Sequence, residues 1–367
     1  MQSSSELPCK RRRVEKVLLV YGSKPPIMNY LAAAFNKRGI SVEMVCTDEI
    51  HWVDRYLIRV INKILHNLRI LSKRSSLFSQ HRLAHKNFRS NNLLTACRLF
   101  LPDLVLIIRG ITIREDVLVH IRQKARLFGW WTIGEERMAE AFSEMHLFDW
   151  YFFMNSACIS AGAQKGLSHI SFLQHSVGPE LFRPLEGAQK RIDICFVGNW
   201  SAKRQAFIES LCTITDKITV IGGKWRRKNL LNAKVRGCIK GDYIDGTDLV
   251  RLYNESKIVL NITDWGFGEG AKRSGVNMRI LEVPACGAFL LTDGSRDLST
   301  LITPGKHAAV YEDMADCVKQ VQYYLHNDAE RESIAGAGCL HVRSNYTYDL
   351  VINPIIDKYM ELCVKEA

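Results

Sequence analysis

Residues 257–293 read KIVLNITDWGFGEGAKRSGVNMRILEVPACGAFLLTD, and the succession of textures in that stretch decides the fold. Ile258–Ile262 is a short apolar run rich in β-branched residues. It breaks into a polar, glycine-rich loop over 264–277. A helix follows from about Asn277 to Gly287, and Ala288–Leu291 is a second apolar run. Strand, glycine loop, helix and strand make a βαβ unit. Strands that are apolar throughout, rather than alternating, belong to a parallel sheet covered on both faces.

The same alternation extends in both directions. Towards the N-terminus, strands are expected at Val17–Tyr21, Ser41–Cys46, Asp103–Ile108, Phe128–Ile133, Trp150–Met154 and Ile170–Leu173, with helices between them such as 115–125. After a polar interruption over 183–190, strands are expected at Ile194–Val197 and Ile218–Ile221, then at the two runs already quoted. Helices at about 313–325, 328–338 and 347–364 close the chain. The division that follows is a basic tail (1–13), a first domain (14–182), a linker (183–190) and a second domain (191–345). A last helical segment (346–367) is expected to pack back on the first domain. The fold class is α/β: two Rossmann-like domains facing a central cleft, since open parallel sheets bind ligands beyond the carboxyl ends of their strands.

Composition narrows the function. The chain has 367 residues, 47% of them apolar and 24% charged, enough to bury the cores of two ordinary domains. Its net charge of +12 is concentrated: residues 55–99 hold ten Lys or Arg and no Asp or Glu. Four more bases, Lys10 to Arg13, sit in the first 13 residues against Glu6. With +10 and +3 assigned to these segments, the rest sums to −1, so no general nucleic-acid affinity is expected. No apolar run approaches the length of a membrane span, and the N-terminus lacks the pattern of a secretory signal. Eleven cysteines without a Cys-x-x-Cys pair suit reduced core thiols in a cytoplasmic protein. His81 and His85 share a helix face without a further ligand nearby, so no metal is expected.

The first strand is not followed by G-x-G-x-x-G, and neither G-x-x-x-x-G-K-[ST] nor G-x-S-x-G occurs. These absences set aside a dinucleotide fingerprint, P-loop phosphoryl transfer and a hydrolase nucleophile elbow. The quoted loop and helix have chemistry of their own. A glycine-rich loop feeding a helix offers backbone N–H groups suited to a diphosphate. Glu282 is an acid on a mostly apolar helix, where a carboxylate needs hydrogen-bond donors. The two hydroxyls of a ribose would serve; a solvated position or a salt bridge to Arg279 would serve equally.

Asn277-x-Arg279-x-x-Glu282, Gly287 and Leu291-Thr292-Asp293 together resemble the donor-site signature of the CgeB-like (spore maturation protein) glycosyltransferases, two-domain nucleotide-sugar enzymes of GT-B architecture. Further similarity lies in Cys195-Phe196-Val197-Gly198-Asn199 followed by Arg204, in Ile334-Ala335-Gly336-Ala337-Gly338, and in Tyr346-Thr347-Tyr348. Pro102–Gly110 resembles the family's middle strand in the first half. The resemblance implies a nucleotide diphosphate-sugar in the second domain, as co-substrate rather than cofactor, and an acceptor in the first. It implies that Glu282 holds the ribose and that Arg204, with Lys203, neutralises the diphosphate. Ser274, Gly275 and Asn277 would contact the same phosphates beside Arg279. Gly223 would lie near the base and Trp225 would stack on it. The loop Trp265–Gly270 departs from the family's acidic sugar-contacting motif, and Glu269 is the candidate there for sugar hydroxyls. In the first half, Glu135 at the end of a strand and His175 are candidate catalytic groups, with a loop-surface role as the alternative for each.

Residues 52–73 form the other informative segment. Val53, Tyr56, Leu57, Val60, Ile61, Ile64 and Leu68 fall on one helical face, and Arg55, Arg59, Lys63 and His66 on another. A basic amphipathic helix suits peripheral contact with an anionic membrane, at the inner face for a cytoplasmic protein, or the steering of an anionic acceptor. The alternative is a helix packed on its own domain with a solvated basic face. The expected activity is therefore metal-independent hexosyl transfer to an unidentified, anionic or membrane-associated acceptor. A two-lobed nucleotide or sugar-binding protein without turnover, or a nucleotide-sugar epimerase, fits the same scaffold.

Overall fold

The computed structural model describes residues 13–22, 27–72, 75–108, 112–230, 232–263 and 274–365. They divide into two compact units, one made of residues up to Gln174 and from Val351 onward, the other of His175–Leu350. Among the described residues, no helix is long and apolar enough to cross a membrane.

The first unit is a six-stranded sheet of β1 (Lys16–Tyr21), β2 (Ser41–Cys46), β3 (Leu104–Ile108), β4 (Arg126–Trp131), β5 (Trp150–Phe153) and β6 (Ile170–Phe172). The strand order is β2-β1-β3-β4-β5-β6 and every pairing is parallel. The central strands β3 and β4 are buried along their whole length, as their apolar sequences require. β2 is an edge strand with three exposed residues, Glu43 among them, and a charge there discourages pairing with another chain. A Cβ on Gly129 of β4 would lie 2.3 Å from the Tyr151 ring. The glycine thus makes room for a buried tyrosine whose hydroxyl donates to Glu144 at 2.6 Å. Helix Tyr348–Val364 buries Ile352, Ile355 and Tyr359, and Arg126 donates to the carbonyl of Leu362 at 2.8 Å.

The basic segment is helical over 52–67 rather than 52–73: Leu68 closes the last turn and Arg69 adopts φ +57°. The helix does rest on its own unit with its bases Arg55, Arg59 and Lys63 exposed, but not through its apolar stripe. The face turned inward over 54–67 carries Asp54, Ile58 and Asn62, while Tyr56, Leu57, Val60, Ile61 and Ile64 are exposed. The reason is polar. Asn62 donates to the Leu77 carbonyl (3.1 Å) and accepts from the Leu77 N–H at 2.7 Å, which ties this face to the chain beyond the helix; within the helix, Asn62 also donates to the Ile58 carbonyl (2.8 Å) and Asp54 pairs with Arg59 at 2.7 Å.

The second unit holds β7 (Ile192–Val197), β8 (Ile218–Ile221), β9 (Ile239–Gly241), β10 (Ser256–Asn261), β11 (Leu290–Asp293) and β12 (Ala309–Tyr311). Their order is β12-β11-β10-β7-β8-β9, again all parallel. Chain direction across the sheet reverses between β7 and β10, which is the switch point where open α/β sheets place their ligands. The core is built from Ile194, Phe196, Val220, Ile258, Leu260 and Leu291, with Trp225 beneath β7. The polar stretch 183–190 is tied to this unit by buried Asn254, which accepts from the Leu185 N–H (2.8 Å) and donates to the Arg183 carbonyl (3.2 Å). The ten cysteines among the described residues are free thiols.

Candidate functional site

The carboxyl ends of β7 and β10 lie side by side at the switch point, and Arg204 joins them. Helix Ala202–Leu211 begins just after β7, with the Ser201 hydroxyl capping its start by accepting from the Arg204 N–H at 3.3 Å. The Arg204 guanidinium donates through Nε and Nη2 to the Ile262 carbonyl (both 3.0 Å) and through Nη1 to the Asn199 carbonyl (2.8 Å). Neighbouring Lys203 is half-exposed; its Nζ donates to the Thr263 carbonyl at 2.9 Å and stands 3.6 Å from Asp293. Two bases and no acid occupy the first turn of this helix, where the backbone dipole already supplies positive potential. That placement is unfavourable for the helix alone and suited to an anion.

β8 ends on the other side of β7. A Cβ on Gly222 would lie 2.0 Å from the Gly198 carbonyl oxygen, so only a glycine lets the two strand ends approach this closely. The Gly223 N–H donates to Asn199 Oδ1 at 3.0 Å. Trp225 corrects an expectation. Its ring is fully buried, packs edge-on against Phe196, and donates through Nε1 to the Gly198 carbonyl at 2.8 Å. An indole enclosed in the core presents no face to a base, and its part here is to fix the Gly198 turn. Half-buried Trp200 is the indole nearer solvent at this end, with Lys228 4.9 Å from its ring centre.

Asn261, the last residue of β10, organises the third group. Its side chain is fully buried, donates to Thr292 Oγ1 at 2.9 Å, and accepts from Asn277 Nδ2 at 2.9 Å and from Arg279 Nη1. Asn277 and Arg279, singled out in sequence, are thereby brought onto one acceptor. The helix after the loop is short, Arg279–Ala285. Glu282 lies on it, and burial pushes its carboxyl up to about 7, against the attraction of Arg279. The Arg279 guanidinium is directed at Asn261, and among the described residues no hydrogen bond reaches the Glu282 carboxylate. Ser274 is buried. Gly275, at φ +82°, donates its N–H to Asp297 Oδ2 at 2.7 Å, so that amide is already engaged rather than open to a phosphate.

Glu135 opens a single helical turn, Glu135–Arg137, in the first unit, and His175 is buried at the start of the second. Glu269 lies outside the described residues. Among these no group of three or more His, Cys, Asp or Glu side chains converges to hold a metal ion. Sequence reasoning overlooked Asn261 and Asp297, and quoted Asn199 and Asp293 within motifs without giving either a role. Asp293 accepts from the Thr263 N–H at 2.9 Å and pins the end of β10 to that of β11. The signal was present: Asn261 closes β10 directly after Ile258-Val259-Leu260, Asp293 closes β11, and Asn199 follows the end of β7 by two positions.

Comparison with known proteins agrees with this geometry. A family model described as glycosyl transferase-like matches residues 203–357. The spore protein CgeB of Bacillus subtilis is 22% identical over 267 residues, 68% of this chain and 80% of CgeB. Among solved structures, Alr3699/HepE of Anabaena, crystallised with UDP and glucose, superposes with a TM-score of 0.64 at 10% identity, covering 95% of this chain and all of that one. Sucrose-phosphate synthase of Thermosynechococcus elongatus gives a TM-score of 0.66 at 12% identity over 96% of this chain and all of that one. In sequence the chain is similar to CgeB and to the glycosyl transferase-like family model, and its two parallel six-stranded sheets have the GT-B fold.

Proposed function

We propose that the protein transfers a sugar from a nucleoside diphosphate-sugar held by the second unit to an acceptor held by the first. The observation that carries this is Glu282: a carboxyl raised to about 7 by burial, with no hydrogen-bond donor among the described residues, beside a switch point furnished with two cations. Vicinal ribose hydroxyls supply the two donors such a group lacks, and hydrogen bonds to a charged acceptor contribute about 1.5–3 kcal/mol each. Lys203 and Arg204 then face the diphosphate. In the transfer, the acceptor oxygen bonds to the anomeric carbon as the bond from that carbon to the diphosphate oxygen breaks. The electron pair leaves with the diphosphate, where fixed cations stabilise the growing charge without a metal. The acceptor proton passes to a base, for which Glu135 and His175 are the proposed groups. Glu269 contacts hydroxyls of the transferred sugar on this reading. UDP is the nucleotude to test first, because HepE has been crystallised with UDP and with UDP-glucose. The acceptor is anionic or membrane-borne, in keeping with the ten bases and no acid of residues 55–99.

The test is a panel of nucleotide-sugars, followed by calorimetric binding and by release of free nucleotide. Binding and slow hydrolysis of one donor, lost in Glu282→Ala and Arg204→Ala, are expected. If no donor is bound or consumed and both variants behave as wild type, the proposal is wrong. Binding without consumption of donor, with any acceptor fraction, would identify a binding protein instead.

A further inference from the structure

The helical segment 52–67 turns its apolar stripe away from the unit that carries it. Exposure runs from 38% at Ile61 to 63% at Tyr56, with Leu57, Val60 and Ile64 between; Trp52 before them and Leu68 after them prolong the stripe. These positions recur at three- and four-residue spacing, so they form one continuous face. A contiguous exposed apolar patch marks an interaction surface. It is held outward by the opposite face: rolling the helix to bury the stripe would break both hydrogen bonds between Asn62 and Leu77, which lies beyond the helix, and would bring out buried Ile58.

Charge identifies the occupant. Arg55, Lys63, Arg69, Arg82, Lys86 and Arg98 make no ion pair among the described residues, and no acid occurs between 55 and 99. Beside the helix lies a cavity of about 720 Å³, large enough for a phosphate headgroup, whose lining includes Lys63, His66 and Lys86 as well as the Asp54–Arg59 pair. A second copy of the chain docked on this face would bring like charges together. We propose that the segment 52–67 docks the first unit on an anionic lipid surface, with Tyr56, Leu57, Val60, Ile61 and Ile64 in the interfacial layer and Arg55, Lys63 and Lys86 on headgroup phosphates. The docking goes beyond the donor assignment and needs no nucleotide-sugar, so it stands or falls separately from the transferase reading.

The experiment is sedimentation of the full chain with vesicles of phosphatidylcholine alone or with about one third phosphatidylglycerol, at low and high salt. Binding to the anionic vesicles, weak on neutral ones and reduced by salt, is expected. The double variant Arg55→Gln/Lys63→Gln should weaken it about 30-fold, since each base near an anionic surface is worth roughly fivefold. Leu57→Ser/Ile64→Ser, at exposed positions, should abolish it with the thermal transition unchanged. Equal binding to neutral vesicles, no binding to either, or an apolar double variant that binds as wild type overturns the proposal. So does ultracentrifugation showing a dimer that this variant converts to monomer, because the stripe would then be an interface between copies.

Discussion

Replacing Glu282 by glutamine should stabilise the protein while removing the group proposed to hold the ribose. The carboxyl is held at about 7 where its ordinary value is 4.5, and burial is the main cause. Below pH 4.5 the group is protonated in both folded and unfolded chains and has no effect. As pH rises from 4.5 to 7, the unfolded chain ionises first, so the native state loses stability, and above 7 the loss is constant. A gap of this size corresponds to about 3 kcal/mol in the fully desolvated limit. Glu282 keeps some solvent contact, which screens part of the penalty, so about 2 kcal/mol is expected. Glutamine is neutral throughout. The Glu282→Gln protein should therefore match wild type near pH 4.5 and melt about 4–8 °C higher near pH 8, given the transition entropy of a unit of this size. Scanning calorimetry of both proteins across that range is the assay. A difference independent of pH would refute the reasoning, because only titration of this carboxyl makes the two curves diverge.

Other perturbations give separate readouts. Ribose hydroxyls donating to Glu282 favour its ionised form, so UDP affinity in wild type should weaken as pH falls below about 7 and should not do so in Glu282→Gln; titration calorimetry at several pH values checks this. Arg204→Ala removes charged hydrogen bonds to two carbonyls and should lower stability by about 2–3 kcal/mol as well as donor binding, whereas half-exposed Lys203→Ala should leave urea unfolding almost unchanged and reduce turnover. Gly222→Ala places a methyl 2.0 Å from the Gly198 carbonyl and should destabilise the second unit by about 2 kcal/mol or more, read by denaturant midpoint. Once an acceptor is found, transfer should persist in excess EDTA if Lys203 and Arg204 neutralise the leaving group.

The buried strands were legible because burial on both faces leaves an uninterrupted apolar run. Ten strands were expected from such runs, and each has its counterpart in the two sheets. β9 and β12 escaped notice because each is three residues long and at a sheet edge, too brief for a compositional signal. The site was read less completely, and for a different reason. Lys203, Arg204, Asn277 and Arg279 stand out as polar residues beside strand ends, but their partners are backbone carbonyls and residues distant in sequence. Nothing local to Arg204 announces the Ile262 carbonyl, 58 positions away. Trp225 misled because three adjacent bases suggested a surface position, whereas a short helix turns the ring inward and the bases outward. Helix 54–67 shows the same limit: an amphipathic pattern identifies two faces but does not say which one the fold will bury.

Helix Tyr348–Val364 has a consequence for how the molecule is made. Its residues from Val351 belong with the first unit, where Tyr359 is buried and Lys358 lies 3.8 Å from the centre of the Trp150 ring. Residues 175–350 are contiguous and can reach their native contacts as they leave the ribosome. The unit whose synthesis starts first cannot be completed until the other has been made in full. Its sheet must wait, with the surface that Ile352, Ile355 and Tyr359 will cover still open to water, for roughly 175 residues of translation. At ordinary elongation rates that is an interval of about 10–35 s, long enough for a chaperone to find the open flank.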